Sequence, residues 1–123
     1  MLKDYGYGGT YHDNDVSIGI LLETPSEHDL TADTLVFSVT IDPKHKGANK
    51  PRVEDLTFYV IDEADQTYST RIIPLLGAKT ATGLYVREGL VCTEFRAEFL
   101  YQDLRIAIYD QTHERMAIVR LKH

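Results

Sequence analysis

A short acidic run near the N-terminus contains the residue types that bind hard cations. His12, Asp13, Asn14 and Asp15 follow one another, and calcium is held by carboxylate oxygens that all turn toward one centre. The run lacks the glycine and the distal glutamate of an EF-hand loop. We therefore interpret it as a solvated polar segment before the first strand, and we expect no metal there.

Five further aspartates fall at the predicted ends of strands. The loops at one end of a β-sandwich can pool such groups into a calcium site. Turns, however, recruit aspartate for hydrogen bonds to their own backbone, and the alternation of strand direction places Asp42 and Asp62 at opposite ends. Calcium binding is therefore kept as an alternative to a structural role. The five residues are Asp42, Asp62, Asp65, Asp103 and Asp110.

Catalytic groups are poorly represented in the sequence. Cys92 lies in a predicted strand, whereas a reactive thiolate needs a helix N-terminus or a nearby cation. Glu94 and Glu98 would lie about 13 Å apart on a strand, too far for a glycosidase pair. The five histidines show no ligand spacing, and no serine has a Gly-x-Ser-x-Gly context. The sequence predicts no enzyme and no cofactor, and a small hydrolase with dispersed catalytic residues is the least favoured alternative.

Two features could serve recognition. The loop over residues 42–52 carries the main positive patch, and an N-terminal arm, residues 1–15, alternates tyrosine with glycine. Tyrosine gives a large contact area at a low entropic cost. The arm could instead pack on the body or add a strand to a sheet edge, in this chain or in a second copy, which would make a homo-oligomer. The candidate binding residues are Tyr5, Tyr7, Tyr11, Lys44, Lys46, Lys50 and Arg52.

Length and charge narrow the classes of function. A chain of 123 residues suits one domain, here residues 16–123 after the arm. A net charge of −6 disfavours nucleic acid and anionic membranes. The single cysteine excludes an intrachain disulfide, and no apolar run reaches the ~20 residues of a membrane span. The sequence as written indicates a cytoplasmic protein, or an extracytoplasmic one if an export signal has been removed.

The alternation of apolar residues predicts strands rather than helices. In the segment 34–41, for example, Leu35, Phe37, Val39 and Ile41 share one face, as in a strand that is buried on one side only. Pro74 is expected to end the fourth strand. Together the segments predict an all-β, immunoglobulin-like antiparallel sandwich of seven or eight strands, with a small barrel as the second choice. The predicted strands are 16–22, 34–41, 56–62, 66–73, 90–100, 104–109 and 115–121, with 84–86 as a short eighth.

Two stretches carry a resemblance to a known family. Residues 58–68 form a strand, an acidic turn and a return strand that a tyrosine opens, and residues 88–121 contain an apolar strand followed by a final pair of strands. The region from about 34 to 121 resembles the telokin-like immunoglobulin-fold domains of bacterial cell-surface lipoproteins. The resemblance implies an extracytoplasmic, non-catalytic domain and supplies no catalytic motif.

These observations together favour a non-enzymatic binding module whose partner is another protein. The alternatives are a calcium-binding sandwich that uses the strand-end aspartates and, less favoured, a small hydrolase.

Overall fold

The structure is a computed structural model that describes residues 8–23, 25, 30–31, 33–48, 50–79, 86–94, 96, 99 and 103–121. The described residues contain nine strands and a 3₁₀ turn at Val53–Asp55. The strands are β1 (Gly8–His12), β2 (Val16–Glu23), β3 (Thr34–Pro43), β4 (Thr57–Ile61), β5 (Thr67–Ser69), β6 (Arg71–Lys79), β7 (Val86–Glu94), β8 (Arg105–Tyr109) and β9 (Arg115–Arg120).

The strands form two antiparallel sheets, which confirms the predicted all-β sandwich. Sheet A has five strands in the order β1-β2-β3-β7-β6, and sheet B has four in the order β5-β4-β8-β9. Both sheets contribute alternate side chains to one apolar core, with Phe37 from sheet A and Phe58 from sheet B among its largest members. Within the described ranges, no helix is long and apolar enough to cross a membrane.

Strand β3 is buried on both faces, so the prediction of a one-sided strand is wrong. Val36 and Ser38 belong to the face opposite Phe37, yet both are buried. Val36 packs there with Leu90 and Cys92, and Leu30 from the β2–β3 connection covers them. The outer face of sheet A is therefore partly covered by the chain itself.

The predicted strand 66–73 is in fact two strands, because the chain crosses from sheet B to sheet A at Thr70. The Thr70 hydroxyl donates to the carbonyl of Phe58 over 2.6 Å. Beside it, the Thr93 hydroxyl donates to the carbonyl of Ser69 over 2.7 Å. These bonds satisfy carbonyls that strand pairing leaves open at the corner.

Pro74 does not end its strand, contrary to the prediction. β6 continues to Lys79 through a register shift between Pro74 and Ala78. β6 is an edge strand of sheet A, and an edge tolerates a residue that cannot donate a ladder hydrogen bond.

The predicted strand 90–100 is also displaced. β7 starts earlier, at Val86, and ends at Glu94. Arg96 lies outside any strand, and the amide of Phe99 bonds back to the Arg96 carbonyl over 3.0 Å, so the chain turns there. Phe99 is buried and belongs to a turn that places the centre of its ring 5.2 Å from the centre of the Tyr68 ring.

Two hairpin loops share one construction, and both were predicted as turns. In the β4–β5 loop, the Asp62 amide donates to the Gln66 carbonyl over 3.0 Å, and Asp65 has a positive φ of 63°. The β8–β9 loop repeats this pattern with Asp110 and with His113, whose φ is 62°. A turn closed by one residue of positive φ is a common solution for three-residue hairpin loops.

Candidate functional site

The described part of the arm is structural. Gly8–His12 pair with β2 as an edge strand of sheet A. Tyr11 packs against the core and donates its hydroxyl to Oδ2 of Asp13 over 3.0 Å. Burial, followed by the hydrogen bond to Asp13, raises the pKa of Tyr11. The candidates Tyr5 and Tyr7 lie outside the described residues.

The polar run after β1 forms a turn. Oδ1 of Asp13 accepts the amides of Asp15 and Val16 at 2.7 and 2.8 Å. The bond from the Val16 amide is the main reason that the pKa of Asp13 lies below its ordinary value. This carboxylate therefore stabilises the β1–β2 connection.

The basic loop does not gather its four cations into one site. Lys44 and Lys46 are exposed. Lys50 contacts Glu88 at 2.6 Å, and Arg52 contacts Asp55 at 3.4 Å. The acidic partners of Lys50 and Arg52 weaken the positive field that the sequence suggested for this loop.

The strand-end aspartates divide between the two ends of the sandwich. Asp110 and Asp15 line one small cavity, and Asp65 and Asp103 line another with Arg105. Asp65 contacts Arg105, and Asp103 contacts Arg120, both at 2.6 Å. In the part of the chain that the structure describes, no three His, Cys, Asp or Glu side chains could hold a metal ion together.

Asp62 and Asp110 serve the two hairpin loops. Oδ1 of Asp62 accepts the amides of Ala64 and Gln66, both at 2.9 Å. Oδ1 of Asp110 accepts the hydroxyl of Thr112 at 2.6 Å, together with two loop amides. These donors favour the ionised form and lower both pKa values; the Tyr68 hydroxyl is the largest influence on Asp62 and the Thr112 hydroxyl on Asp110.

The outer face of sheet B carries an apolar and aromatic surface. The rings of Tyr59 and Tyr109 meet edge to face, with centroids 5.6 Å apart. Ile118 lies on edge strand β9 and is 43% exposed. Among the described residues it is the exposed large apolar side chain. We call this surface the outer patch; by strand register it comprises Tyr59, Ile61, Ala107, Tyr109 and Ile118.

Three arginines frame the outer patch. Register places Arg105 opposite Arg120 and places Arg115 opposite Tyr109, and cross-strand partners point to the same face of a sheet. Arg105 and Arg120 are paired with aspartates at one end of the face. Within the described ranges no acidic group forms an ion pair with Arg115.

Sequence reasoning missed the outer patch, although one signal was present. Assigning Ala117, Val119 and Leu121 to the inner face already places Ile118 on the outer face. The alignment of Ile118 with Ala107 and Tyr59 depends on the register of three strands, which a single sequence does not supply.

A further concave surface lies beside β5, and we call it the β5 groove. Its volume is about 700 Å³, and its walls are the start of β3, the end of β7 and the β5–β6 corner. Charged groups of both signs line it, namely Asp33, Arg71, Glu94 and Arg96. The residues with hydroxyl groups that line it are Thr31, Thr34, Thr67, Tyr68, Ser69, Thr70 and Thr93.

Comparison with known proteins supports the architecture. No family model and no curated protein matches the chain. The crystal structure of a DUF4426 family protein from Pseudomonas aeruginosa PAO1 is similar, with a TM-score of 0.56 and 11% sequence identity. The alignment covers 92% of this chain and 93% of that one. At this identity the similarity shows a shared all-β fold and nothing about activity.

Proposed function

We propose that this chain is a non-enzymatic interaction module that binds a partner protein through the outer patch. The observation that carries the proposal is the exposure of Ile118 beside the Tyr59–Tyr109 pair. Aromatic residues and arginine are the types that dominate binding energy at protein interfaces. An exposed apolar side chain between them supplies the dry centre that such an interface needs.

The contrast between the two sheets supports this assignment. On sheet A, Leu30 covers the outer apolar residues Val36, Leu90 and Cys92. On sheet B, Ile61 and Ala107 are buried, but Tyr59 and Tyr109 are half-buried and Ile118 remains open to solvent. The outer patch is thus a surface at which a partner would remove further apolar area from water.

The charges favour an acidic partner. The chain has a net charge of −6, yet arginines frame the outer patch and Arg115 has no described acidic partner. An acidic partner would meet less electrostatic repulsion at this face than at the rest of this acidic molecule. A second copy docking patch to patch would bring arginines together, so we assign the face to a different protein.

We also propose that the module is of the telokin-like immunoglobulin type that the sequence resembles, which implies an extracytoplasmic location and no catalysis. The two-sheet antiparallel architecture supports this. A partner of such a domain would be a surface protein or a protein of the cell envelope.

Affinity purification from the source organism, quantified by mass spectrometry, tests the outer patch. The full chain is compared with Ile118→Glu and with the matched control Thr10→Glu, which adds the same charge at an exposed strand position on sheet A. We expect the proteins enriched by the natural chain to fall about tenfold or more with Ile118→Glu, the effect of losing an interface anchor.

The control should retain those proteins. Equal enrichment by all three chains would contradict the proposal. Thermal unfolding of each variant shows whether the fold is intact, because Glu at an exposed strand position is expected to change stability little.

A further inference from the structure

Within the described residues, strand β5 is an edge of sheet B and pairs only with β4. Residue pairs in an antiparallel ladder alternate between bonded and non-bonded. The Asp62 amide bonds to the Gln66 carbonyl, so two residues further along the ladder the bonded pair is Val60 with Tyr68. The backbone groups of Tyr68 therefore point toward β4.

The backbone groups of Thr67 and Ser69 point the other way, toward the β5 groove. The Ser69 carbonyl accepts the Thr93 hydroxyl over 2.7 Å. The remaining groups are the amide and carbonyl of Thr67 and the amide of Ser69. The two amides lie two residues apart, about 6.6 Å, which is the repeat of donors and acceptors along an extended peptide.

The opposite wall of the groove suits a polar peptide. Thr34 and Glu94 stand at the ends of β3 and β7, where they pair in the ladder. Arg71 lies exposed at the start of β6, and the guanidinium of Arg96 lies 5.1 Å from the centre of the Tyr68 ring. Side chains of both charges and several hydroxyl groups thus surround the amide and carbonyl of Thr67 and the amide of Ser69, which have no hydrogen-bond partner among the described residues.

We propose that the β5 groove binds an extended, polar peptide segment of a partner protein, which adds to sheet B as a fifth strand beside β5. Main-chain hydrogen bonds to Thr67 and Ser69 hold the segment, as in other cases of strand addition to a sheet edge. The side chains of the segment alternate between the groove and the outer face. Because β5 has only three residues, the segment makes few main-chain bonds and binds reversibly.

A library of linear random peptides displayed on phage, selected on the full chain, provides the probe. Selected peptides are synthesised, and backbone amide exchange is measured by nuclear magnetic resonance with and without saturating peptide. We expect exchange at Thr67 and Ser69 to slow at least tenfold, with little change at Tyr68, whose amide already bonds to β4.

Ser69→Pro is the decisive variant because it removes the groove-facing amide from an edge position where proline is tolerated. We expect it to weaken peptide binding at least tenfold. The matched control, Ser69→Ala, removes the hydroxyl but keeps the amide, and its affinity should stay within about twofold of the natural chain's.

Three results would overturn the proposal: no enrichment of any peptide, protection of amides elsewhere such as around Ile118, or equal binding by Ser69→Pro. If Ser69→Pro does not fold, the exchange measurement on the natural chain decides the question alone.

Discussion

Tyr68 donates its hydroxyl to Oδ2 of Asp62 over 2.7 Å, which ties the middle of β5 to the loop that precedes it. The second oxygen of Asp62 accepts two loop amides, and Arg105 donates to the Asp62 carbonyl over 2.7 Å. One buried carboxylate thereby fixes the hairpin at one end of sheet B. A carboxylate engaged in this way is a structural group, which explains why aspartate stands at this strand end.

The stability of the fold should fall in acid partly through Asp62. Hydrogen bonds, that of Tyr68 first, lower its folded-state pKa, so its contribution is complete above its unfolded value of about 3.9 and is lost as pH falls through the lower folded value. Asp62→Asn should be less stable at neutral pH and should show a flatter loss of stability between about pH 5 and 2. Urea unfolding at a series of pH values measures this.

Asp42→Asn is the control, because Asp42 is exposed at the end of β3. It should leave the free energy of unfolding at neutral pH almost unchanged. Equal profiles for Asp62→Asn and the natural chain would contradict the role assigned to Asp62.

Glycine substitutions in the β4–β5 and β8–β9 loops should change the free energy of unfolding by different amounts. His113 and Asp65 both have a positive φ, a conformation that glycine adopts without strain. His113→Gly should raise the free energy of unfolding by up to about 1 kcal/mol. Asp65→Gly should gain less, since it also removes the 2.6 Å contact with Arg105. Thermal unfolding of both variants checks the order, and a destabilised His113→Gly would contradict it.

The close approach of β1 to β9, which we call the β1–β9 seam, requires glycine at position 9. A Cβ atom there would lie 2.6 Å from both the Arg120 carbonyl oxygen and a methyl group of Val119. Gly9→Ala should therefore destabilise the fold by about 1–3 kcal/mol through overpacking. Chemical denaturation measures the loss.

Gly19→Ala in the neighbouring strand is the matched control. A Cβ atom added at Gly19 would fit without a clash, because its nearest neighbour is the Cβ atom of Thr40 at 3.9 Å. Alanine should be neutral there, or stabilising by about 0.5–1 kcal/mol, because glycine inside a strand is unfavourable. A loss at Gly19→Ala as large as at Gly9→Ala would show that the seam is not the cause.

Calcium should not change the stability of this chain. The oxygens of Asp62 and Asp110 accept loop hydrogen bonds, and Asp65 and Asp103 contact arginines. A cation would have to displace these donors before it gained ligands. We expect millimolar calcium to leave the melting temperature and the heat of titration unchanged; a saturable heat signal would restore the calcium alternative.

The sequence pattern predicted the parts of the fold that depend on residues close together in the chain. The alternation in residues 16–22 identified β2, and the polar sequences around Asp62 and Asp110 identified both hairpins. Burial of β3 on both faces was not predictable in this way, because the cover comes from Leu30 in a connection that lies apart from the strand. The crossing at Thr70 depends on one hydroxyl and its distant acceptor, the Phe58 carbonyl.

The candidate sites were harder to predict for the same reason. Residue type drew attention to tyrosines and lysines near the N-terminus and in the basic loop. The outer patch instead joins Tyr59, Tyr109 and Ile118 from three strands, and only register brings them together. The β5 groove depends on backbone direction at Thr67 and Ser69, which no side-chain pattern reports.

The crossing at Thr70 has a consequence for how the molecule denatures. A single stretch of chain, from Thr67 to Lys79, belongs to both layers of the sandwich. Because this stretch is continuous, the unfolding of either sheet displaces residues that are joined directly to the other sheet. Heat denaturation should therefore be cooperative and all-or-none, with equal calorimetric and van't Hoff enthalpies.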